Sequence, residues 1–157
     1  MMRLWLIRHG ECELTAPSDE ARLLTESGAA LVQKMATRIE MEGGEGPTRI
    51  LSSPFRRALQ TAEFFAKAWK TEVEAVDWLL PLVEPSQVLA RLSERPETSL
   101  ALTGHLPNLG LLLSVLLWGL PPREASIARG AVLQLEAESL SPGAAKLKWV
   151  LNPGVVS

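Results

Sequence analysis

Two histidines are all that this 157-residue chain contains, and each stands directly after a short apolar run. His9 lies in Arg8-His9-Gly10, and His105 closes Thr103-Gly104-His105. A third polar segment, Ser53-Pro54-Phe55-Arg56-Arg57-Ala58, follows the run Arg49–Ser52. Neutral imidazole is a nucleophile and a proton carrier. Arginine presents a planar fork of donors that suits phosphate oxygens and keeps its charge. Two histidines and two arginines brought together can therefore bind a phosphoryl group and attack it. Any one of them alone would more often be an ordinary hydrogen-bonded or surface residue. The repetition of the pattern at three predicted strand ends is what points to a site, because ligands in open α/β sheets bind at the carboxyl ends of the strands.

Other chemistries fit the same residues less well. A metal site could recruit His9, Cys12, His105 and Glu11, but flanking arginines repel a divalent cation, so no metal is expected. A cysteine phosphatase needs an arginine six residues after its nucleophile, and Ser18 stands there. The cluster Gly43-Gly44-Glu45-Gly46-Pro47 lacks the Lys-Ser/Thr ending of a phosphate-binding loop, and no Gly-x-Ser-x-Gly elbow is present. The formal net charge is -2, which argues against nucleic-acid or membrane-surface binding through bulk positive charge. An anion site must then be built locally from a few arginines.

The elements that would position these residues alternate. Met2–Ile7 is apolar and reads as a buried strand. Thr25 can cap a helix with Leu31, Met35 and Ile39 on its buried face, ended by the glycines at 43 and 44. Arg49–Ser52 reads as a second strand. Ser53-Pro54 predicts an N-cap and first helical residue for a helix reaching about Trp69. Glu72–Val76, Thr98–Thr103, Ala131–Leu135 and Lys146–Leu151 read as further strands, with helices over Ser86–Glu94 and from Pro107 onward. The apolar stretch from Leu106 to Leu120 is shorter than the roughly 20 residues of a membrane span and reads as a core helix. A single cysteine and no recognisable leader suggest a cytoplasmic protein. The pattern predicts one domain over 1–157, a three-layer α/β/α sandwich with a largely parallel central sheet.

These strings also resemble a known family. Arg8-His9-Gly10, Ser53-Pro54-x-x-Arg57-Ala58-x-x-Thr61 and Gly104-His105 are similar to the histidine phosphatase superfamily, which has the phosphoglycerate-mutase-like fold. The SixA-type phosphohistidine phosphatases are the more similar branch, through Arg22-x-Leu24-Thr25-x-x-Gly28, His105-Leu106-Pro107-x-x-Gly110 and Trp149-x-x-Asn152-Pro153. The resemblance implies that His9 is the nucleophile, forming a phosphohistidine intermediate. It implies that Arg8, Arg57 and His105 hold the phosphate, with no cofactor and no large cap insertion. Arg56 falls on a variable position and is expected at the surface. Nearby positive charge should keep His9 neutral.

The chain departs from the family in one respect. Relatives that cleave alcohol phosphates carry an acid after the third strand, where Leu82 stands in this chain. Glu84 and Glu11 are the candidate acids, although Glu84 reads more readily as a carboxylate favoured by a helix N-terminus. The expected substrate is a phosphohistidine-containing protein. The alternatives are a small phosphorylated molecule, such as a sugar or nucleotide-like phosphate, and a phospho-ligand binding module without turnover.

Overall fold

The computed structural model describes residues 1–155. In chain order the elements are β1 (Met2–Arg8), α1 (Glu26–Glu42), β2 (Arg49–Ser52), α2 (Arg56–Trp69), β3 (Val73–Ala75), α3 (Pro85–Ser93), β4 (Ser99–Gly104), α4 (Asn108–Trp118), β5 (Val132–Ala137) and β6 (Ala145–Leu151). The strands form one sheet in the order β3-β2-β4-β1-β5-β6. The first four pair in parallel, while β5 and β6 join antiparallel.

Strand alternation builds the three layers. Successive side chains of a strand face opposite sides of the sheet. Leu4 and Leu6 accordingly enter one core with Leu51, Leu100, Leu102, Leu109 and Leu112. Trp5 and Ile7 enter the other, with Val32, Met35, Ile50, Phe65 and Ala101. Helices α3 and α4 cover the first face, and α1 and α2 the second. The apolar run becomes α4, which is largely buried against the sheet. Among the described residues, no helix is long and apolar enough to cross a membrane.

Several boundaries differ from the sequence reading. Ser53 does not cap α2: its Oγ accepts from Phe55 N at 3.2 Å within a turn, and the helix begins only at Arg56. Pro54 therefore lies before the helix rather than at its first position. Along α1 the buried stripe runs through Gly28, Val32, Met35, Ala36 and Ile39, so Val32 takes the place expected of Leu31. Leu31 is half-buried at the stripe's edge. The third strand is confined to Val73–Ala75, and α3 starts one residue early, at Pro85.

Thr25 does cap α1, its Oγ1 accepting from Gly28 N at 2.9 Å. This first turn packs directly on the loop after β1, since a Cβ at Gly28 would land on the Glu11 carbonyl. Gly28→Ala is therefore expected to cost about 1–3 kcal/mol, as overpacking does. In a chain of this size that lowers Tm by several degrees, roughly 2–4 °C per kcal/mol. A thermal melt checks this, and an unchanged Tm would contradict the contact.

Candidate active site

The site follows from strand register. Arg8 is paired with Gly104, so His9 and His105 come next on adjacent parallel strands. His9 N donates to Gly104 O at 3.0 Å, and the two imidazole centroids lie 5.1 Å apart. On the other side of β4, Ser53 N donates to Thr103 O at 2.9 Å, which sets Ser53 Oγ 2.7 Å from His105 Nε2. Three neighbouring strand ends thus contribute His9, His105 and Ser53.

Both arginines of the sequence pattern are held at this mouth. Arg8 donates through Nη1 to Ile127 O at 2.7 Å. Arg57, in the first turn of α2, donates through Nη1 to Asp19 O at 2.7 Å and through Nη2 to Asp19 Oδ2 at 3.3 Å. Its guanidinium lies 5.0 Å from the Phe55 ring centroid, and Phe55 meets His105 edge-on at 5.2 Å. Thr61 ties the helix to the loop after β1: its Oγ1 donates to Arg57 O at 2.8 Å and accepts from Gly10 N at 3.1 Å. Arg56 is exposed, with its backbone N–H donating to Glu20 O.

The ring nitrogens of His9 have distinct roles. Its Nδ1 lies 2.7 Å from Gly10 O. A carbonyl only accepts, so Nδ1 carries the proton and Nε2 keeps its lone pair. Burial lowers the His9 pKa to about 4, against the Gly10 hydrogen bond, which raises it; Arg57, Arg8 and Arg22 lower it further. Burial also lowers His105 to about 3, helped by His9 and Arg57 and opposed by Asp19. Both imidazoles are neutral at pH 7. Among the described residues, Arg8 Nε, Arg57 Nε and His105 Nδ1 are buried and have no hydrogen-bond partner, as polar groups that await a bound species do.

Neither candidate acid joins this group among the described residues. The Glu11 carboxylate accepts from Thr25 Oγ1 at 2.8 Å and Ser27 Oγ at 2.9 Å, bonds that hold its pKa below the usual carboxylate value. Glu84 immediately precedes α3, makes no side-chain capping bond, and lines a groove with Leu89, Leu111 and Leu120 rather than with the histidines. Leu82 is 85% exposed. The carboxylate that does reach the site is Asp19, which sequence reasoning passed over; no local motif marks it, and it arrives on an irregular loop. Ser53 was read as a cap and is instead the partner of His105. Arg22 and Thr61 were visible only as members of the family strings.

Comparison with known proteins shows what the chain is similar to. The family model described as "Histidine phosphatase superfamily (branch 1)" matches residues 4–80. Phosphohistidine phosphatase SixA of Escherichia coli (strain K12) is 29% identical over 164 residues, covering 97% of this chain and 94% of that protein. An uncharacterised protein of Picosynechococcus sp. (strain ATCC 27264 / PCC 7002 / PR-6) is 30% identical over 155 residues, covering 94% and 89%. The solved structure of the protein histidine phosphatase SixA complexed with tungstate superposes with a TM-score of 0.85 at 27% identity, covering 99% of this chain and all of that one.

The buried imidazoles make stability depend on pH. Unfolded, both histidines titrate near 6.5; folded, they remain neutral down to about 4 and 3. As pH falls below 6.5 the unfolded chain binds protons that the folded chain does not, so stability is lost. Between about pH 7 and 5.5, above the carboxylate range, these histidines dominate that uptake. The wild-type Tm is expected to fall across this window, and the slope to flatten in the His9→Gln/His105→Gln double variant. Melts of a double variant that keeps the full slope would contradict neutral burial.

Proposed function

The chain belongs to the histidine phosphatase superfamily, and from that membership we propose a phosphohydrolase that acts on phosphohistidine through a covalent intermediate on His9. The observation that carries the reading is the His9 tautomer: Nδ1 is held by Gly10 O, leaving Nε2 unprotonated, with the His105 ring 5.1 Å away and the charges of Arg57 and Arg8 near enough to lower the His9 pKa. In the first step the Nε2 lone pair attacks phosphorus. The bond from phosphorus to the leaving nitrogen breaks, and that nitrogen takes a proton from water. In the second step water attacks the phosphorus on His9, the P–Nε2 bond breaks, and inorganic phosphate leaves with His9 restored. Arg8, Arg57 and His105 hold the equatorial oxygens, where transition-state charge is spread.

Leaving-group chemistry supports phosphohistidine over an alcohol phosphate. Expelling an alkoxide needs a placed acid, whereas imidazole departs readily. At this site Asp19 is kept ionised by its bonds to Arg22 and Arg57, Glu11 is bonded to Thr25 and Ser27, Glu84 lines another groove, and Leu82 stands where the resemblance places an acid. The similar Escherichia coli protein is itself named a phosphohistidine phosphatase. Among the described residues, the segments beyond the parallel strand ends carry only a one-turn helix at Asp77–Leu79, which fits a substrate as large as a phosphorylated protein. The cytoplasm is the compartment that fits a chain with one free cysteine. Arg8 and Arg57 supply the cationic charge, so activity is expected to survive chelation.

A substrate panel tests the reading. The kcat/KM for a phosphohistidine protein is expected to exceed that for sugar phosphates by at least about a hundredfold, the scale of one general acid. Glu84→Gln should leave phosphohistidine turnover nearly unchanged. Efficient sugar-phosphate hydrolysis, abolished by Glu84→Gln, would instead establish a small-molecule phosphomonoesterase.

A further inference from the structure

Asp19 occupies the clamp in the manner of a ligand. Its Oδ2 accepts from Arg57 Nη2 at 3.3 Å, and its Oδ1 from Arg22 Nη1 at 2.9 Å. Among the described residues it is the only carboxylate paired with Arg57. The two partners differ in burial. The Arg57 side chain is 6% exposed and fixed at the start of α2, whereas that of Asp19 is 56% exposed on an irregular loop. This loop spans residues 13–23, between the bridge partners Cys12 and Leu24. The cation is therefore held in place by the fold, and the anion comes from an exposed loop whose backbone is tied to α2, through Arg57 Nη1 to Asp19 O at 2.7 Å and Arg56 N to Glu20 O at 3.1 Å, so that displacement concerns the carboxylate alone. Arg22 is anchored independently of Asp19, with Nε donating to Glu13 O at 2.6 Å and Nη2 to Cys12 Sγ at 3.2 Å.

We propose that Asp19 is the displaceable counter-anion of the phosphate clamp: it neutralises Arg57 and Arg22 in the resting site, yields to the incoming phosphoryl group, and returns to expel inorganic phosphate. The proposal rests on the reading that Arg57 holds the phosphoryl group, and it adds Arg22 to the residues that meet phosphate. A phosphoryl group brings up to two charges and three oxygens against one carboxylate, so it displaces Asp19. An oxygen on the unpartnered Arg57 Nε lies on the same guanidinium as the Asp19 carboxylate on Nη2, and repulsion between the two like charges drives the carboxylate off Nη2. Inorganic phosphate is the last species bound, and buried guanidinium groups without a competing carboxylate would hold it tightly. A built-in competitor weakens product retention at the expense of some substrate affinity.

Two roles for Asp19 predict opposite results. A counter-anion competes with phosphate, so its removal strengthens phosphate binding. A residue that merely orients Arg57 helps phosphate bind, so its removal weakens it. Inorganic phosphate is titrated calorimetrically into wild type, Asp19→Asn, Asp19→Ser, Asp19→Glu and Arg57→Ala, with folding of each confirmed by thermal melt. Asp19→Asn and Asp19→Ser are expected to bind phosphate about tenfold more tightly, in the range of a site-to-site coupling. Their KM for a phosphohistidine protein should fall and their kcat should also fall as phosphate release slows, while Asp19→Glu stays close to wild type. Unchanged or weaker phosphate binding in both neutral variants would overturn the counter-anion role. Full phosphate binding by Arg57→Ala would overturn the clamp assignment itself, a result distinguishable from any at Asp19.

Discussion

Backbone hydrogen bonds along the two central strands set Arg3 opposite Ser99 and Arg8 opposite Gly104, and the geometry of the site descends from this register. One residue further, His9 and His105 face each other, and the neighbouring β2 adds Ser53 at the same level. The same register decides the cores, since alternation sends Leu4 and Leu6 to one side and Trp5 and Ile7 to the other. A slip by one residue would exchange these faces along the whole strand. Burial of four consecutive large side chains thus enforces the placement of the imidazoles, and folding energy and the geometry of the candidate site are served by the same pairing.

The electrostatic design is local. A chain of net charge -2 gathers positive charge at the candidate site by drawing in guanidinium groups and satisfying them only in part, through Ile127 O for Arg8 and through Asp19 for Arg57. Burying charge is costly unless it is paired. The site limits that cost by keeping both histidines neutral, so that the cations face dipoles, rings and a carboxylate rather than further positive charge. The depressed imidazole pKa values are the counterpart of this choice: they preserve the His9 lone pair near neutral pH and make folding sensitive to acid.

Much of this was legible in the sequence. The apolar runs are short and end abruptly in Arg8-His9 and Gly104-His105, so the strands and their chemical ends could be read together. The alternation of elements indicated a layered α/β sheet, although the antiparallel joining of β5 and β6 is a matter of pairing that periodicity does not carry. Local capping rules misled at Ser53-Pro54, because the Ser53 hydroxyl is drawn to Phe55 N and His105, a partner 52 positions away. Asp19 was invisible for a similar reason. Its role depends on a loop folding back over α2, where Glu20 O accepts from Arg56 N, and no spacing rule encodes such a return. Val32 rather than Leu31 lines the buried stripe of α1, four residues after Gly28, which packs on the Glu11 carbonyl.

The central claim is that His9 Nε2 takes the phosphoryl group. The most direct measurement is rapid-quench mass spectrometry of the protein mixed with a phosphohistidine substrate, with the modified residue located by fragmentation. The account predicts a single phosphoryl group on His9 that accumulates within one turnover and is lost to water. Phosphate trapped on any other residue, or turnover by His9→Ala at the wild-type rate, would contradict it.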